Sequence, residues 1–152
     1  MYPLLPLLLQ LENHISNFEK TNPKVSNSTV GWQIDHCLLV INGIIGQIEI
    51  SDPLKYQPKW TFPKFMVFTT GKIPRGKAKA PQIVVPNSAI DLHSLQEHIN
   101  KSRNSIKELE SLSNNHYFDH PYFGKLKKKE TIRFLEIHTN HHLKIIEDII
   151  KS

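Results

Sequence analysis

The stretch KKETIRFLEIHTNHHLKIIEDII, residues 128–150, decides the fold. Thr131, Leu135, His138, His142, Ile145 and Ile149 recur in it at spacings of 4, 3, 4, 3 and 4. That is the period of one helix face, so the spacing predicts an amphipathic helix over about residues 128–150. Residues four apart lie one turn above each other, which puts His138 and His142 on the same inward seam. His141 is turned about 100° from His142 and falls at the side of the helix. Nine histidines in 152 residues produce such spacings by chance, and hydrogen-bonded or exposed rings are the plain alternative. Position on the seam is what distinguishes this pair. An unpaired buried polar group costs about 1–3 kcal/mol, and one shared ion would satisfy both rings.

Three more helical patterns lie upstream. Leu4, Leu8, Leu11, Ile15 and Phe18 make one seam over about residues 3–20, which Asn22-Pro23 ends. A second helix spans about Ser28–Glu49, with Ser28 or Thr29 as cap and Asp52-Pro53 beyond its end. Trp32, His36, Leu39, Val40, Gly43, Gln47 and Ile50 are expected to share its broad face. A third spans about Asp91–Leu112, with Ser94 and Glu97 resembling a capping box and Leu95, Ile99, Ser102, Ile106 and Leu109 as its seam. The fold class read from these patterns is all-α: a four-helix bundle in one domain over residues 1–152, with one long crossover connection between helices 2 and 3.

That connection, about residues 51–90, holds six of the ten prolines together with Tyr56, Trp60, Phe62, Phe65 and Phe68. Its aromatic content predicts packing against the bundle rather than disorder. QIVVP within it reads as a short extended piece. HPYFG, residues 120–124, reads as a turn whose two aromatics pack on the bundle end.

In a bundle, metal and ligand sites form from inward side chains of facing helices. A third imidazole from helix 2, His36, would complete a three-nitrogen site with room for water or substrate. Taken alone, His36 is more often a satisfied core histidine. Gly43 on its face would leave space for a bound group or simply allow close packing. Asp35 points sideways. Cys37 reads as small apolar filler, since no basic residue is placed to activate it. GKIPRGKAKAP, residues 71–81, is glycine-punctuated and basic; it would cradle a carboxylate or phosphate, or serve as a solvated turn.

Net charge is +5, and the positive residues are spread out, with Lys125, Lys127, Lys128 and Lys129 the densest group. This reads as solvated surface, with no nucleic-acid and no membrane partner expected. The opening MYPLLPLLLQLENH lacks the basic start and cleavage site of a signal peptide. With a single cysteine, it suggests a cytoplasmic protein.

Together, His36 in GWQIDHCLLVI, then HPYFGKL, then IHTNHHL resemble the DinB-like (YfiT-like) superfamily of metal-binding four-helix bundles. The resemblance covers nearly the whole chain and is nearest to a bacterial branch with a GKIPRGKAKAP-like connection. It implies that His36, His138 and His142 are ligands of a divalent metal ion, zinc or nickel, and that His141 is the adjacent non-ligand. It further implies a thiol-dependent transferase or isomerase; with a metal-bound water or thiol, the reading is a thiol-dependent transferase or a hydrolase, with a small-molecule thiol or electrophile as partner. Lys127 stands where similar proteins carry a serine or threonine cap, Glu130 remains, and Lys144-Ile145 replaces Arg-Gln. The catalytic acid or base is unknown; Gln47, Glu12 and His120 are candidates by location only. The alternative function is a non-catalytic metal- or small-ligand-binding module, or a dimerisation bundle that forms a homodimer.

Overall fold

Thr29 accepts the Trp32 N–H at 3.0 Å and starts α2, Val30–Glu49, the helix that carries His36. The computed structural model describes residues 3–77, 79–87 and 89–151. The opening Met1-Tyr2 and Ala78 of the glycine-punctuated stretch fall outside them. Two more N–H groups of α2's first turn are met by main chain: Val30 donates to the Lys20 carbonyl and Gly31 to that of Phe18, at 3.0 and 2.8 Å. A Cβ on Gly31 would stand 3.0 Å from the Phe18 oxygen, so any other residue would press this approach apart by a few tenths of an ångström.

This docking explains why α1, Leu4–Asn13, is shorter than its seam suggests. The chain passes through a 3₁₀ turn at Ile15–Asn17 and bends to place those carbonyls over α2. Leu4, Leu8, Leu11 and Ile15 are nevertheless buried, as the periodicity requires.

The chain is mostly helical. α2 packs against α4, Leu92–Ser111, and α5, Lys128–Lys151, while α1 packs against the same two. Leu95, Ile99, Ser102, Ile106 and Leu109 of α4 are all buried, matching the predicted seam. Its capping box is formed by Asp91 and Ser94, three residues earlier than the Ser94–Glu97 reading, because Asp91 is the residue with extended backbone that can accept the Ser94 N–H.

The predicted face of α2 needs correction. Ile34, Leu38, Ile41, Ile45 and Ile48 face the core, while Gly43, Gln47 and Ile50 are exposed. A Cβ on Gly43 would touch nothing, so that glycine neither opens a pocket nor permits a close contact. His36 lies on the border between the two faces.

The long connection is not structureless. It contains α3, Phe62–Thr70, capped by Thr61 at its start and ended by left-handed Gly71. Only one side of α3 meets the core, through Val67 and Phe68; Trp60, Phe62 and Phe65 are exposed, against the expectation that they pack inward. Gln82–Val84 forms a 3₁₀ turn instead of an extended piece. The predicted turn at 120–124 closes an antiparallel hairpin, β1 Tyr117–His120 with β2 Gly124–Lys127, which helical periodicity gave no means to foresee. Phe123 is buried there and Tyr122 exposed. Among the described residues, no helix is long and apolar enough to cross a membrane.

Candidate metal centre

His36 from α2 and His138 and His142 from α5 meet with their ligand nitrogens all within 4.8 Å of one another. His36 Nε2 stands 3.3 Å from His138 Nε2. Two ligands about 2.0–2.1 Å from one tetrahedral zinc ion are roughly 3.4 Å apart, so this pair has the required spacing. His141, one residue from His142, is turned away and stays out of the group.

Neighbours fix the direction of two rings. His36 Nδ1 bonds the Val84 carbonyl at 2.7 Å, which makes Nδ1 the donor and leaves the Nε2 lone pair free toward His138. His142 Nδ1 bonds the Gln33 side-chain oxygen at 2.6 Å, with the same consequence. Trp32 stacks on His36 with ring centroids 5.0 Å apart and holds it flat. His138 is different: its Nδ1 is buried with no hydrogen-bond partner among the described residues.

The electrostatics suit neutral imidazoles. Burial lowers the pKa of all three rings, against a smaller upward pull on His36 from the Val84 bond and from Asp35. His142 falls to about 2, by burial and then by the neighbouring His36 and His141. Each ring therefore presents a lone pair at neutral pH, the form a metal ligand must have.

Gln33 and Val84 were not singled out by the sequence patterns. Gln33 had a signal, standing three residues before His36 and so on the same side of α2. Val84 had none, since it contributes only a carbonyl. Asp35 does not merely point sideways: it is buried and bonds His98 Nδ1 at 2.6 Å. The candidate bases are engaged elsewhere or exposed. Glu12 is held by Arg103 at 2.8 Å and Gln96 at 2.9 Å, and Gln47 faces solvent. His120 stacks on Phe123 at 4.0 Å and accepts the Tyr122 and Phe123 N–H groups at 3.1 and 3.2 Å. Cys37 is fully buried and burial pushes its thiol up, against any nucleophilic role. In the glycine-punctuated segment, Arg75 pairs with Asp148 of α5 at 2.8 Å.

A mostly helical protein with three converging imidazoles defines the class. The chain belongs to the DinB superfamily, whose family model matches residues 16–146. No curated protein and no solved structure gave a significant match.

Proposed function

We propose that His36, His138 and His142 bind one divalent metal ion, with zinc or nickel best suited to three neutral imidazoles. The observation that carries this is the convergence of three lone-pair nitrogens within 4.8 Å. Ligation through His138 Nε2 places the ring proton on Nδ1, a buried donor with no acceptor among the described residues, so the fit rests on the donor set and its spacing. We read α1, α2, α4 and α5 as a four-helix bundle in one domain, with residues 51–90 as its crossover.

Bound there, the ion would supply Lewis acidity that favours the deprotonated form of a water or thiol. The chain's own residues set the rest. Val84 and Gln33 hold two rings in one tautomer, and Trp32 and Phe134 wall the site with aromatic surface. On this basis the protein is a thiol-dependent transferase or a hydrolase acting on a small-molecule electrophile. A second reading, a non-catalytic metal-binding module, is favoured by one observation: among the described residues, Glu12, Gln47 and His120 make no hydrogen bond to the triad.

Elemental analysis of tag-free protein purified without chelator tests the proposal. About one zinc or nickel per chain is expected, lost in His138→Ala, which keeps its helical circular dichroism. Protein that is metal-free and gains no thermal stability from either ion overturns it. A panel of thiols and electrophiles offered to the loaded protein then separates enzyme from module.

A further inference from the structure

Charge counted by segment is far from even. Residues 53–90 hold seven basic residues and no acidic one, although the chain has 14 acids. The remaining twelve basic residues face all fourteen acids, so the rest of the protein is slightly negative. Lys64 is spent on Glu130 and Arg75 on Asp148. Lys59, Lys72, Lys77 and Lys79 are exposed and make no ion pair among the described residues.

The same segment exposes its largest apolar groups. Phe62, Phe65 and Met66 follow the spacing of a helix face, and that face of α3 points outward. Trp60, 73% exposed, precedes them, and Leu54, 94% exposed, lies upstream. Scattered exposed apolar residues are ordinary, but a contiguous stripe marks an interaction surface. One open groove is lined by Lys59, Trp60, Lys64, Phe65, Phe68 and Glu130; Lys64 pairs with Glu130 there, which leaves Lys59 as the positive charge beside the rings.

We propose that this face binds the surface of an anionic lipid bilayer. Trp60, Phe62, Phe65 and Met66 enter the headgroup–acyl boundary while Lys59 and Lys72, at the two ends of α3, meet lipid phosphates. The binding is peripheral, and it departs from the expectation of no membrane partner drawn from charge averaged over the chain. A second copy docking on the same face would bring two acid-free basic segments together. Single-stranded nucleic acid uses aromatic faces for stacking, to which Met66 and Leu54 add nothing. The proposal does not depend on the metal.

Flotation of the full chain with vesicles tests it. Retention is expected on phosphatidylcholine vesicles containing phosphatidylglycerol, is absent on phosphatidylcholine alone, and is reversed by high salt. Brominated lipid should quench the tryptophan emission of the native chain but not that of Trp60→Ser. Phe62→Ser and Phe65→Ser should each weaken retention roughly tenfold or more. Both positions are exposed, so the melting temperature should hold. No retention on the anionic vesicles overturns the proposal, as does retention that these substitutions leave unchanged. Two findings in place of vesicle binding also overturn it: oligonucleotide binding that the serine variants abolish, or a dimer that they dissociate.

Discussion

At the scale of single residues, the site depends on partners that are not themselves ligands. Gln33 accepts the His142 Nδ1–H at 2.6 Å and so decides which nitrogen keeps its lone pair. Gln33→Leu removes that acceptor while preserving bulk. Zinc affinity should fall by roughly 10–100-fold, the usual cost of losing such a support. Competition with a chromogenic chelator measures it; an affinity within twofold of the native chain would show that Gln33 is only packing. His138 and His142 were legible because they interrupt an otherwise apolar seam. His36 was legible as an imidazole on a facing helix, although the face drawn for α2 was rotated toward Gly43 and Gln47, which are exposed. Val84 was illegible in principle, because a carbonyl bond carries no side-chain signature.

At the scale of elements, helices whose buried faces are apolar were read well, and those held by polar end contacts were not. α4 shows the first case, its five seam residues all buried. α3 shows the opposite: its apolar stripe faces solvent, so periodicity gave no inward direction. Its boundaries were nonetheless written in the sequence, as Thr61 with Pro63 at the start and Gly71 at the end. Lys128 shows why charge alone misleads. It was grouped with a solvated basic cluster, yet it is buried, and its ammonium donates to the Leu112 carbonyl at 2.6 Å and the Glu110 carbonyl at 3.1 Å. It thus caps the C-terminus of α4 from the first residue of α5, where the helix dipole favours a cation. Lys128→Ala leaves two carbonyls without that donor, and urea unfolding should register a loss of about 1–3 kcal/mol. Lys129→Ala, at an exposed neighbour, should change stability by less than about 0.5 kcal/mol. Equal effects at the two positions would remove the capping account.

At the scale of the whole molecule, buried histidine makes the fold acid-sensitive. His36, His120, His138, His141 and His142 all have pKa values below 6.5, with burial the largest cause in each. A group with a lowered folded pKa binds a proton more readily in the unfolded chain. As pH falls below 6.5 the unfolded state therefore gains protons first, and stability declines until the folded value is reached. For His120 that window runs from 6.5 down to about 4. Within it His120 alone contributes a slope of at most about 1.4 kcal/mol per pH unit. Asp91, whose carboxylate pKa is lowered by the Ser94 N–H, has an ordinary value of 3.8, so its contribution is lost only below this window. Because His120 stacks on Phe123 and lies against Phe134, His120→Phe keeps the aromatic cluster while removing the titration. Its absolute stability will shift, since the Tyr122 and Phe123 N–H groups lose their acceptor, so the readout is the slope. Urea unfolding of metal-free protein between pH 6 and pH 4.5 should give a plot shallower than the native one by roughly 1 kcal/mol per unit. Saturating zinc, binding the folded chain alone, should raise both plots. The difference between their slopes should persist, because His120 lies outside the triad; parallel plots would mean that His120 does not titrate in this window.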